Sequence, residues 1–247
     1  MQQIRDLSVV DLPAGQVLLT ACDISASIGD KEHDVLHVDP ALTGKMTVRT
    51  ALLEILATGA EVVAVTNMIG AEMHPTGEKI IAGIREELES AELGHIILNG
   101  STEDNMKTSQ TSVSVVVNGI GEKAALKMNS IRKDAAIFGF GKPKVGEELL
   151  REPELEVNFK LIRQLAQHDH VMETVPVGSK GILTEAEKLA EGNNCFFRCT
   201  PACPQEWLRH SAGPSTAAIV AVDRAYAARF EAEFPQAYLV GYADRKK

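Results

Sequence analysis

The chain has 247 residues, 34 acidic against 25 basic, a formal charge of -9 and 45% hydrophobic residues. That is enough for one large domain or two compact ones, it excludes a disordered or fibrous polymer, and its acidic surface repels a phosphate backbone, so no nucleic-acid partner is expected. No apolar run approaches the roughly 18 residues of a membrane span and "MQQIRDLSVVDLPAGQ" lacks the pattern of a secretory leader, which predicts a cytoplasmic protein with no membrane partner.

Strand and helix patterns alternate along the chain, as in an α/β or α+β protein. "QVLLTACD" reads as a strand that runs into a loop crowded with Asp30, Lys31, Glu32 and Asp34. "TGKMTVRTALLEILATGA" places Met46, Val48, Leu52, Leu53, Ile55 and Leu56 mostly on one helical side, with Thr43 as N-cap and Gly59 closing the helix. "EVVAVTNM" is a short buried strand, and "TGEKIIAGIREELESAELG" a second amphipathic helix, capped by Thr76 and stopped at Gly94. "HIILNG" is a strand ending in the polar loop "STEDNMKTSQ"; "TSVSVVVNGIG" then alternates as a half-buried strand should.

Composition shifts between Gly119 and Lys133, which predicts two domains, 1–120 and 121–247. The second opens with "DAAIFGFGKPKVGEELL", a strand, a glycine-rich turn and a charged segment. "EVNFKLIRQLAQH" is helical, "VMETVPVGSKGILTEAEKLAEG" reads as strand, loop and helix, "STAAIVAVDRAYAARFEAEF" as strand then helix, and "QAYLVGY" as a last strand.

No standard nucleotide loop is present. "LTGKMT" lacks the earlier glycine of a P-loop, "GFGKPK" puts proline where Ser or Thr binds magnesium, and no Gly-x-Gly-x-x-Gly opens a helix after a strand. Phosphate can instead be held through magnesium, which takes oxygen ligands and bridges one or two carboxylates to phosphates. Acids stand in three suitable places: Asp23 to Asp34 after the first strand, Glu54 inside an apolar helix, and Glu103 with Asp104 after "HIILNG". Each also has a plain reading, as a solvated turn, a residue reaching the core edge, or a turn-capping group. Cys195, Cys199 and Cys203 are spaced too widely for the usual zinc pairs and read as structural thiols.

"DISASIGDK", "LLEILATGAE" and "NGSTEDN" followed by "TSVSVVVNG" resemble the ATP-binding superfamily of aminoimidazole ribonucleotide synthetase, thiamine-monophosphate kinase and selenophosphate synthetase. Asp23 and Lys31 take the positions of its first loop, and Glu54, five residues before Gly59, takes that of its helical Asp. Gly100-Ser101-Thr102-Glu103-Asp104 replaces its Gly-Gly-Asp-Thr loop. "GSTEDN" with "TSQTS", "GKPKVGEE" and "SAGPST" resemble segments of the α-ribazole kinase family of cobalamin salvage.

The resemblance implies a two-domain α+β fold of the aminoimidazole ribonucleotide synthetase type, with an N-terminal ATP-binding domain and a C-terminal α+β domain. It implies ATP and Mg2+ as cofactors, a small-molecule nucleoside as substrate, phosphoryl transfer to the 5'-hydroxyl of α-ribazole, and a homodimer; the alternatives are another ATP-dependent enzyme of the superfamily, a thiamine-phosphate kinase or an aminoimidazole ribonucleotide synthetase-like cyclase, or a non-catalytic nucleotide-binding carrier. Asp23, Glu54, Glu103 and Asp104 are then expected to hold the metal, and Asp23, Lys31, Asn67, Gly100 and Lys142 to contact the nucleotide. Lys31 neutralises charge in the transfer, and Asp34 or Asp30 takes the hydroxyl proton.

Overall fold

Two short strands, β1 (Gln2–Ile4) and β2 (Leu7–Asp11), precede a long one, β3 (Gln16–Ala26), along which Val17, Leu19 and Ala21 are buried and their neighbours point the other way. This is the alternation of "QVLLTACD" carried three residues further. The structure is a computed structural model that describes residues 2–246. These divide into one unit of Asp6–Ile55 and Ala60–Gly121, and another of Gln2–Arg5, Leu56–Gly59 and the chain from Glu122 onward.

In the first unit, β2 pairs antiparallel with β3, Val9 opposite Leu19. After the small pair β4 (Ile28–Gly29) and β5 (Leu36–His37) come helix α1 (Pro40–Ala57), β6 (Glu61–Ile69), helix α2 (Glu78–Ser90), β7 (Ile97–Thr102) and β8 (Ser112–Glu122). The sheet runs β2-β3-β8-β6-β7. β6 is parallel to β7 and antiparallel to β8, and the Ser27 amide donates to the Thr111 carbonyl. The ends of β3, β6 and β7 therefore lie at the edge where β8 begins.

The helix ends differ from expectation. α1 starts at Pro40, not after Thr43: Asp39 Oδ1 accepts from the Ala41 amide at 2.9 Å, and proline suits the first helical position because its missing N–H is not needed there. Thr43 instead donates to the Ile28 carbonyl at 3.0 Å. Gly59 closes the helix as expected, at φ +86°. α2 begins after Thr76, whose hydroxyl is engaged by Glu72, and it stops before Gly94, where Glu92 takes φ +59° and the Leu93 amide donates back to the Leu88 carbonyl at 2.8 Å. The two helices touch backbone to backbone at Gly44 and Gly83 and share the buried Arg49–Glu87 ion pair at 3.3 Å.

The second unit holds β9 (Ala135–Phe140), α3 (Glu147–Arg151), α4 (Phe159–Gln167), β10 (Val171–Val177), α5 (Gly181–Gly192), β11 (Cys195–Cys199), α6 (Gln205–Leu208), β12 (Ala217–Asp223), α7 (Ala227–Glu233) and β13 (Tyr238–Arg245). Its antiparallel sheet runs β10-β12-β9-β13-β11. Ile137 and Ile219 share a core cluster with Ile182, Ala186 and Leu189 of α5; alternate residues Phe138 and Phe140 meet Phe230 of α7 and Phe234 just after it, with Phe138 and Phe230 centroids 5.1 Å apart. β11 and α6 were not anticipated. Cys195 and Cys203 belong to that core, where burial raises both thiols, Cys203 to about 11. Among the described residues no helix is long and apolar enough to cross a membrane.

Candidate functional site

Past Ala21, the core-facing side of β3 turns polar, and it meets a matching polar stripe on α1. Thr47 donates to Ser25 at 2.8 Å, and one turn later Thr50 hydrogen-bonds the Asp23 carboxylate. Burial pushes the Asp23 carboxyl up from the usual 3.8 to about 6, although the Ile24 amide and Thr50 both pull it down. Glu54, partly buried, follows Thr50 by four residues and so lies on the same helical face. The sequence thus brings Asp23 and Glu54 to one seam between β3 and α1.

At the strand ends, three loops are stitched together. Asp34 is buried, and its oxygens accept from the Thr111 amide and hydroxyl, each at 2.7 Å, and from the Lys31 amide at 2.9 Å. Burial alone would raise its pKa, but these bonds, with His37 nearby, hold it below the usual carboxylate range. Asp34 is an anchor of the loop, its oxygens already engaged, which is poor placement for the proton acceptor expected from the sequence. Asp30 is exposed and pairs with Lys79 at 2.7 Å.

Lys31 reaches across to Glu72, Nζ to Oε2 2.7 Å, and to the Thr108 carbonyl at 3.3 Å. Partial burial works against the Glu72 charge, yet the bonds from Lys31 and Thr76 win and bring its pKa to about 2. Glu72 leads into the turn Met73–Gly77, whose Met73 amide donates to Asp104 Oδ1 at 2.9 Å while Thr102 donates to Oδ2 at 2.6 Å. Asp104 is held below the usual range chiefly by the Met73 amide. Glu103 caps its own turn, accepting from the amides of Asn105 and Met106 at 2.8 and 3.0 Å. Asp104 therefore joins the Lys31–Glu72 group, and Glu103 faces a local task.

Asn67 and Gly100 are register partners on β6 and β7. The Asn67 amide donates to the Asn99 carbonyl at 3.2 Å; its Oδ1 is buried and accepts no hydrogen bond. A Cβ at position 100 would stand 2.4 Å from that oxygen, so only glycine leaves the space open. Glu72, Thr111, Thr47 and Thr50 belong to the site but are not singled out by the sequence. Of these only Thr47 and Thr50 carried a signal, their three-residue spacing on the helical face that also bears Glu54.

In the second unit Lys142 pairs with Glu152 at 3.0 Å. The glycine loops there converge at one sheet end: the Lys144 amide donates to Thr216 Oγ1 at 2.9 Å, and the Ala212 amide to the Gly178 carbonyl at 3.2 Å.

Among the described residues no three Asp, Glu, His or Cys side chains form a group that would cage a metal by themselves. Magnesium bound to phosphates needs only one or two protein carboxylates. Asp23 fits that role, because a partly buried acid whose pKa is raised lacks the positive charge that a cation supplies. Asp104, engaged by an amide and a hydroxyl, fits it less well.

Residues 5–122 match the family described as AIR synthase related protein, N-terminal domain. Among curated proteins none matches the chain. Among solved structures, thiamine monophosphate kinase from Aquifex aeolicus superposes with TM-score 0.67 at 13% identity, over 98% of this chain and 90% of that one. AaThiL complexed with AMPPCP and TMP gives 0.68 at 14% identity, over 98% and 85%. Thermotoga maritima PurL complexed with ADP gives 0.66 at 16%, over 98% of this chain and 42% of that one. At such identities the likeness is one of fold. The chain has the mixed α+β fold of these proteins, and its residues 5–122 are similar to the N-terminal domain of AIR synthase related proteins.

Proposed function

We propose that the protein is an ATP- and Mg2+-dependent kinase that transfers the γ-phosphoryl group of ATP to the 5'-hydroxyl of α-ribazole, the nucleoside of the cobalamin nucleotide loop. The observation that carries the phosphotransferase reading is Asp23: a partly buried carboxyl raised to about 6 at the seam that also bears Glu54, inside a domain match of residues 5–122. The fold likeness to thiamine monophosphate kinase supports the same class of chemistry.

In this reading Asp23 and Glu54 hold the cation. Bound magnesium supplies positive charge against the triphosphate. Lys31 adds a second charge and is already fixed in place by its contacts with Glu72 and the Thr108 carbonyl. Asn67 offers its buried Oδ1 to a nucleotide N–H or O–H, in the space that Gly100 leaves. Asp30, which pairs with the exposed ammonium of Lys79, takes the acceptor hydroxyl proton in preference to Asp34. Ile24, Met68 and Ile97 are exposed apolar side chains of the first unit, 64%, 43% and 74% accessible, and they support a homodimer formed through that sheet. A cytoplasmic location completes the reading.

The test is mass spectrometry of products after incubation with ATP, magnesium and a panel holding α-ribazole, other nucleosides and thiamine monophosphate. The reading expects ADP and a phosphomonoester of α-ribazole. Phosphorylated thiamine monophosphate would move the activity to the acceptor of the enzymes that share the fold. Inorganic phosphate with no phosphorylated product would make the protein a cyclase-type synthetase, and binding without turnover a carrier.

A further inference from the structure

Lys31 is unusually enclosed for a lysine, its side chain 13% exposed, and its ammonium is held from two sides by Glu72 and the Thr108 carbonyl. Glu72 is fixed in turn. The Thr76 hydroxyl donates to its second oxygen, and the turn that follows it is tied to the β7 loop through Asp104. This is a preset contact between partners 41 positions apart, unlike the loose surface pairs whose worth is usually negligible.

A phosphate oxygen satisfies an ammonium as a carboxylate oxygen does, by a charge-assisted bond of about 2.7–2.9 Å. The two partners differ in freedom. Lys31 keeps its carbonyl contact if Glu72 leaves, whereas the Glu72 side chain is 34% exposed and has solvent to turn into.

We propose that Glu72 is the resident counter-ion of Lys31, occupying the place that a triphosphate oxygen takes when ATP binds, and that as a positioning residue it sets the affinity for ATP. The proposal rests on the phosphotransferase reading. Glu72 keeps the ammonium aimed while the site is empty, and its displacement weakens ATP binding by the cost of parting the pair. Asp104, close enough for the two charges to repel, adds to the negative potential that the incoming triphosphate must overcome.

The experiment is calorimetric titration of the full chain with a non-hydrolysable ATP analogue in excess magnesium, for wild type, Glu72→Gln, Lys31→Gln and the double variant. Glutamine keeps the shape and the Thr76 contact and drops the charge. Glu72→Gln is expected to tighten Kd about three- to tenfold, to lower the KM for ATP to match, and to change kcat less than twofold. Lys31→Gln weakens binding, and in that background Glu72→Gln has no further effect. A purely structural Glu72 would instead give the same loss in both backgrounds. Unchanged or weaker binding by Glu72→Gln, with wild type binding normally, overturns the exchange and spares the kinase reading. No binding of the analogue by wild type overturns both.

Discussion

Gly83 of α2 lies so close to Ala41 of α1 that a methyl group at position 83 would stand 1.8 Å from the Ala41 carbonyl oxygen. Backbone cannot yield there as a flexible side chain can. Gly83→Ala is therefore expected to cost on the order of 3 kcal/mol or more, or to stop the first unit from folding. Gly59→Ala meets no atom within 4 Å but must hold φ +86°, so its cost is about 1 kcal/mol. Urea unfolding of the two variants checks the order.

Asp34 and Asp30 stand four residues apart and should behave oppositely. Asp34→Ala strands the Thr111 amide and hydroxyl and the Lys31 amide, which predicts a loss of about 2–4 kcal/mol. Asp30→Ala removes an exposed pair with Lys79 and is expected to leave stability within about 0.5 kcal/mol while reducing turnover. Equal unfolding midpoints for the two variants would contradict the anchor role.

Asp23→Asn and Glu54→Gln are expected to abolish turnover in folded protein, checked by steady-state kinetics beside circular dichroism. Asp23→Asn has a second consequence. Below about pH 4 the wild-type carboxyl is protonated whether the chain is folded or not. Between about 4 and 6 the folded chain keeps the proton and the unfolded chain loses it, so stability falls as pH rises; above 6 the whole cost is present. In metal-free buffer the variant should thus melt higher than wild type at pH 7–8, by on the order of 1–3 kcal/mol, with the gap closing as pH falls through that window. A gap independent of pH would remove the burial argument.

Cys22 and Cys199 are exposed, whereas Cys195 and Cys203 are buried. Burial also raises both of the latter thiols, which further slows their reaction. A thiol reagent should modify Cys22 and Cys199 quickly in the native protein, and Cys195 and Cys203 only on unfolding. Fast labelling of Cys203, followed by peptide mass spectrometry, would show the core placement to be wrong.

The periods of two and 3.6 along the chain disclose most strands and helices, because burial on one face imposes them. The start of α1 was legible in Asp39-Pro40, a stronger signal than Thr43, since proline fits the first turn and Asp39 caps it. β11 escaped because its five residues form a sheet edge, and three cysteines in its neighbourhood drew attention to thiol chemistry. In the site, Asp23 and Lys31 were readable as polar residues at a strand end. Glu72 was not: its partner lies 41 positions away, and nothing local in "GAEMHP" marks it. Asp34 looked like a free acid for the same reason, as Thr111 is 77 positions distant.

Those separations bear on how the protein forms. The contacts that join the strand-end loops span 31 to 77 positions, and none can close before the strands that carry the loops have aligned. The joined cluster of strand-end loops is thus a late product of folding. ATP present during refolding should leave the collapse of the sheet at its own speed and act on the final step alone, by holding the loops together once they have met.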